Sequence, residues 1–330
     1  MSKIIICIHG LGNKVPQPLL KTWWKRSVRE GLKGIDRPRL NFHFELVYWA
    51  DVLHPRPLDP NEENKNAHLY LEDPYFPGRL KRPPEPGGFG RKMMNYIEDQ
   101  LDNLFLNNDM SLNFSSITDK IIRRYFKDLE AYFSQTAVKT GEHPTPAKDI
   151  IRRRLSDALR RHKNKDILLI AHSMGSVIAY DVLTRSVPGI EINTVVTLGS
   201  PLGLPVIVSR IFSEQGRPKA STQKINSPDA IRKKWYNFSD IEDKVALDHT
   251  LADDYGANIH QVRPNDQLVF NNYEANGKRN PHKSYGYLRA PEVASVIDEF
   301  LRGRRFSWWQ NRTYAFNRWV YGYIDKIKKF

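Results

Sequence analysis

The chain has 330 residues, of which 40% are hydrophobic and 11% aromatic, and 51 Lys+Arg against 37 Asp+Glu give a formal net charge of +14. That content excludes an intrinsically disordered chain and fits one large α/β domain with insertions, or two smaller domains. The single cysteine, Cys7, excludes an internal disulfide, and its place in an apolar run marks it as a buried thiol, in keeping with a reducing compartment.

In chain order, Lys3 to Ile8 reads as a buried strand, followed by the loop His9-Gly10-Leu11-Gly12-Asn13-Lys14. This run is too short for a secretory leader, and no apolar stretch approaches the ~20 residues of a membrane span. The expected location is therefore cytoplasmic, with association at a membrane surface left open. Pro18 to Leu32 has helical spacing through Leu19, Leu20, Trp23, Trp24 and Val28, and Asn41 to Trp49 alternates as a strand should. Asp51 to Gly90 is crowded with proline, glycine and charge and reads as an irregular excursion. Helices are predicted at Arg91–Leu106, Ile117–Val138 and Ala147–His162. Residues 51–150 are thus read as a helical and irregular insertion, a lid or cap candidate, because long excursions between sheet strands are more often functional than idle.

Asp166 to Ile170 is a short apolar burst of buried-strand type, and Ser176 to Leu183 continues as a helix. Ile192 to Leu198 is another buried strand, closed by Gly199-Ser200-Pro201. Lys234 to Ser239 is the next, and residues 257–273 hold one more strand or hairpin. Pro291 to Gly303 reads as a helix with proline at its start and glycine at its end. Strands alternating with helices predict an α/β fold: a mostly parallel sheet with helices on both faces over residues 1–303, plus the insertion and a C-terminal extension, 304–330.

Between that apolar burst and its helix stands Ala171-His172-Ser173-Met174-Gly175. One serine flanked by small residues, between strand and helix, is the context of a nucleophile elbow. The turn is tight, so the residues two before and two after must be small, as Ala171 and Gly175 are. Met174 and Gly175 open the helix and direct their N–H groups at negative charge forming beside Ser173. The bland reading is a serine that merely caps a helix. A serine nucleophile also needs a general base and an orienting acid. The chain order of such sites, Ser then Asp or Glu then His, restricts the histidine to His249, His260 or His282.

Four motifs in order, His9-Gly10-Leu11-Gly12, Ala171-His172-Ser173-Met174-Gly175, Asp240-Ile241-Glu242-Asp243-Lys244-Val245 and Pro281-His282-Lys283, resemble the α/β-hydrolase superfamily, most of all its lipase-like and esterase-like members. The resemblance covers roughly residues 1–50 and 165–303. It implies Ser173 as nucleophile, Asp243 as acid with Asp240 as the alternative, and His282 as base. It also implies an oxyanion hole from the backbone N–H of Leu11 and Met174, with His9, Gly10, His172 and Gly175 in support. Ala171 stands where glycine is commoner, and Lys244 where the family often has proline. Asp248, His249, Asp253, Asp254 and His260 follow no metal-ligand spacing, so a polar loop is expected there, and neither metal nor cofactor.

The implied activity is hydrolysis of a small-molecule or lipid carboxylic ester. The alternatives are acyl transfer by the same residues and a non-catalytic binding protein that has kept the fold. Leu301 to Phe330 carries eight Lys/Arg against Asp325 alone, a net +7, and nine of the 37 aromatics. As a helix it would be amphipathic, which fits docking on the body or anchoring on an anionic membrane surface. Nucleic acid is the least favoured partner, since no recognition fold is legible, and oligomeric state is not legible at all.

Overall fold

The structure, a computed structural model, describes residues 2–78, 129–130, 132–133, 137–140, 143–214, 224–246 and 248–303. The predicted helix 91–106, most of 117–138 and the tail 304–330 lie outside the described residues. In chain order the elements are β1 (Lys3–Ile8), α1 (Gln17–Gly34), β2 (Phe44–Val47), α2 (Ala50–Leu53), β3 (Ala137–Thr140), β4 (His143–Pro146), α3 (Ala147–Arg161), β5 (Asp166–His172), α4 (Met174–Arg185) and β6 (Ile192–Leu198). There follow α5 (Pro205–Glu214), β7 (Ile225–Asn226), β8 (Ile231–Ser239), β9 (Tyr255–Gly256), β10 (Pro264–Leu268), β11 (Glu274–Ala275), β12 (Lys278–Arg279), α6 (Ser284–Arg289) and α7 (Pro291–Arg302).

Six strands form one sheet in the order β10-β8-β6-β5-β1-β2, and every pairing in it is parallel. Alternation along the strands sends side chains to two separate cores, as the period of two requires. Ile4, Ile6 and Ile8 of β1 face one cluster, with residues of α3, α4 and α5. Ile5 and Cys7 face the other, with α1, α6 and α7. The sheet is thus covered on both faces, and its strands read as continuous apolar runs. Cys7 is a free, fully buried thiol.

The strand order reverses direction at β1, whose two neighbours are β2 and β5. Ligands of open parallel sheets bind at such a reversal, outside the carboxyl ends of the strands. Here those ends carry His9 after β1 and Ser173 after β5.

Two expectations need correction. The predicted helix ending at Val138 stops sooner: residues 137–140 are strand β3, paired antiparallel with β4. Its described residues before 137, 129–130 and 132–133, are helical, and the Tyr132 hydroxyl donates to Asp181 Oδ2 at 2.9 Å, a carboxylate also gripped by Arg152. The strand expected over Asn41–Trp49 is regular only at Phe44–Val47, because an edge strand has a ladder on one side only.

Candidate active site

Ser173 joins β5 to α4 with φ 54° and ψ −130°. For a side-chain-bearing residue that conformation costs about 1–3 kcal/mol and persists only where neighbours over-determine it. They do so here. The Ser173 N–H donates to Leu198 O (2.9 Å), and the Ser173 carbonyl accepts from Ser176 N–H (2.8 Å) and Ser176 Oγ (2.6 Å). Close packing enforces glycine at two places. A Cβ on Gly175 would lie 2.7 Å from Ile8 O, and one on Gly10 would lie 2.6 Å from Ser173 Cβ. The loop after β1 therefore runs in contact with the elbow.

His282 Nε2 lies 2.9 Å from Ser173 Oγ, and His282 Nδ1 lies 2.9 Å from both Asp243 oxygens. The three side chains form one hydrogen-bonded chain, drawn from the loops after β5, after β8 and before α6. Asp243 is fully buried, while 22% of the His282 side chain remains exposed. Burial by itself would raise the Asp243 carboxyl. Apposition to His282, with hydrogen bonds from His282, the Tyr287 hydroxyl (2.7 Å) and the Val245 N–H (2.9 Å), outweighs it and holds the group below its ordinary range. An imidazole between a carboxylate and a hydroxyl can receive a proton at Nε2 while its Nδ1–H stays bound.

The alternative acid does not meet a histidine. Asp240 is paired with Arg279 and accepts the N–H groups of Asn271 (2.6 Å) and Glu242 (2.9 Å). Burial pushes it up to about 7, against the pull of Arg279. Of the other histidines considered, His260 sits against Arg232 at 2.6 Å in the turn before β10. His249 is placed by its carbonyl, which accepts from Asn237 at 3.2 Å. Among the described residues no group of His, Cys, Asp and Glu is arranged to hold a metal ion.

Opposite the serine, Met174 is the first residue of α4, where amides have no intrahelical acceptor. Leu11 follows Gly10, whose carbonyl is fixed by His9. The Trp49 N–H donates to His9 Nε2 (3.0 Å), so the ring proton is on Nδ1 and is donated to Gly10 O (2.8 Å). Because a trans peptide points its N–H away from its C=O, anchoring Gly10 O also aims the Leu11 N–H. His9 is fully buried, stacked on Trp49 at 4.9 Å, and held neutral by burial and then by the nearby Lys14 charge. Lys14 Nζ in turn donates to the carbonyls of Leu11 and Gly12.

Three residues at this site, Tyr287, Asn271 and Gly199, escaped the sequence reading. Tyr287 bonds Asp243 and accepts the Asp240 N–H at 2.8 Å. Asn271 holds the His282 loop, and His172 contacts its backbone. Gly199, at φ +52, leaves room for the acid, since a Cβ there would lie 2.5 Å from Asp243 Oδ2. Only Gly199 carried a signal, as a glycine closing a buried strand.

A doubly wound parallel sheet with a strained serine turn at its reversal is a hydrolase-type α/β fold. Residues 96–227, about two-fifths of the chain, match the family model described as a PGAP1-like alpha/beta domain. The match contains β5, Ser173, α4 and β6 and ends before Asp243 and His282. No curated protein sequence matches the chain.

Proposed function

We propose that the protein is a serine hydrolase that cleaves a carboxylic ester of lipid or acyl type through an acyl-enzyme. The observation that carries this reading is the continuous hydrogen-bonded chain Ser173–His282–Asp243 beside the contact between Gly10 and Ser173. His282 Nε2 takes the Ser173 proton as Oγ attacks the ester carbonyl. The N–H groups of Met174 and Leu11 receive the resulting oxyanion, a contribution of about 3–4 kcal/mol per donor in comparable sites. Asp243 holds the imidazolium and its tautomer. The leaving alkoxide departs with the proton from His282, and water repeats the sequence to release the acid. The match to a family of lipid-modifying hydrolases supports an ester substrate.

Selection of the acyl group is assigned to the insertion, residues 51–150. It leaves the sheet just after Trp49, whose indole N–H donates to His9 O at 2.9 Å beside the oxyanion loop. The basic, aromatic extension 304–330 is assigned to an anionic membrane surface. It begins after Gly303, near Lys3 at the start of β1, which places its root at the end of the sheet opposite Ser173. No helix among the described residues is long and apolar enough to cross a membrane. Turnover of p-nitrophenyl esters of increasing acyl length, with Ser173→Ala alongside, tests the reading. Activity that vanishes in the variant supports it, and unchanged activity removes it.

A further inference from the structure

Ser173 and His282 lie 109 positions apart in the chain, yet proton transfer requires their side chains at one fixed separation. In the loop that carries His282, three consecutive carbonyls are each held by a buried side chain. Asn271 Nδ2 donates to Pro281 O and to Lys283 O, both at 2.8 Å. His172 Nε2 lies 2.7 Å from His282 O. A carbonyl only accepts, so His172 carries its proton on Nε2.

His172 is the last residue of β5 and the immediate neighbour of Ser173 in the chain. Its ring is 4.8 Å from that of His282 and meets Trp24 edge-on at 6.3 Å. A Cβ on Gly10 would lie 3.0 Å from its Nδ1, so one imidazole touches the serine strand, the base loop and the oxyanion loop. Asn271 is equally enclosed. Its N–H is held by Asp240, its Oδ1 accepts the Tyr273 N–H (3.1 Å), and its carbonyl accepts Arg279 Nε (2.9 Å). A Cβ on Gly286 would overlap Asn271 Oδ1 at 1.6 Å, so α6 packs directly on the amide. Every polar atom of Asn271 is satisfied, the condition under which a buried polar group rigidifies its surroundings.

We propose that His172 and Asn271 are positioning residues of the reaction. His172 is a crossbar that sets the distance from Ser173 Oγ to His282 Nε2, and Asn271 is a clamp that keeps the base loop from sliding along it. This inference rests on the reading of Ser173 and His282 as nucleophile and base. Burial, and then the charge of His282, keep His172 neutral, so it does not oppose the imidazolium formed beside it.

The test uses the full chain, the p-nitrophenyl ester of best acyl length and a fluorophosphonate probe. His172→Phe keeps a ring but removes the donor, and a misplacement of about 1 Å costs about 100-fold, so kcat and labelling rate should fall by about that factor with KM within about threefold. His172→Gln can donate to the same carbonyl and should recover at least about tenfold of the loss. Asn271→Asp, which replaces the donor with an acceptor, should behave as His172→Phe does. If His172→Phe does not fold, Asn271→Ser carries the test: it keeps one donor for two carbonyls and should lose kcat, not KM. Folded variants with wild-type kcat, or a lowered thermal midpoint with kcat per folded molecule unchanged, overturn the proposal. A change in KM alone overturns it as well. If Ser173→Ala leaves turnover intact, the underlying reading falls too. If Ser173→Ala is inactive while the His172 and Asn271 variants are not, only the positioning role falls.

Discussion

Asp243→Asn removes one charge and little volume, so its effect on turnover can be worked from the geometry. In the proposed reaction His282 becomes an imidazolium whose Nδ1 lies 2.9 Å from both carboxylate oxygens. At an effective dielectric constant of about 20, charges at that separation attract by about 6 kcal/mol, or about four powers of ten in rate. The amide also disturbs the tautomer. One position must remain an acceptor for the Val245 N–H, which directs the new NH₂ towards Tyr287 and His282. A donor facing His282 Nδ1 favours the proton on Nε2, where it cannot be exchanged for that of Ser173. We expect kcat to fall by about 10⁴ with little change in KM, measured on an activated ester at pH 7–8. Asp240→Asn keeps an oxygen for the Asn271 N–H and should lose less than about tenfold, since no reacting charge is removed. Retention of a tenth of the activity in Asp243→Asn, or a collapse confined to Asp240→Asn, would refute the assignment of the acid.

The strain at the elbow has a thermodynamic signature: Ser173→Gly and Ser173→Ala both lose the proposed nucleophile, but glycine accepts φ 54° and should be more stable than alanine by about 1–3 kcal/mol in urea unfolding. Equal stabilities would contradict the strained turn. The folded pKa of His172 lies well below its unfolded value near 6.5, so the unfolded chain takes up the extra proton. Its contribution to stability is present above pH 6.5 and is lost as the pH falls; His172→Gln should remove about 1.4 kcal/mol per pH unit from the acid-side slope. An unchanged slope would mean that the ring is not held neutral. Deleting 304–330 should reduce sedimentation with anionic vesicles, most visibly at low salt, and spare turnover of soluble esters, because the segment starts at the end of the sheet opposite Ser173. Undiminished sedimentation would remove the membrane assignment.

Wherever local chemistry dominates, sequence and structure coincide. The runs Lys3–Ile8 and Ile192–Leu198 are strands with those boundaries, because continuous β-branched and apolar residues suit a strand buried on both faces. Pro291 and Gly303 bracket α7, with Gly303 at φ 74° in the left-handed cap that favours glycine. The small residues around Ser173 announce the elbow for the same kind of reason: the steric demand lies within five positions of the chain. β10, Pro264–Leu268, has the pattern buried, exposed, intermediate, intermediate, buried; as a polar edge strand it announces itself weakly. Residues 137–138 continue an apolar helical pattern and are nevertheless strand, since pairing with β4 outweighs local propensity.

The geometry of the site is of the other kind. Asp240 and Asp243 stand three positions apart in one turn and are equally buried, so composition does not separate them. Which of them faces His282 is decided by Arg279 and Asn271, which take up the first, and by Tyr287 and Gly199, which make room for and bind the second. The same holds for His172 and Asn271, whose hydrogen bonds span 110 residues in one case and 10 to 12 in the other and follow no local period. Strands, helices and the tight turn were written in the sequence because their energetics are short-ranged. The meeting of Asp243, His282 and Ser173 depends on loops brought together by the sheet, and only the folded chain decides it.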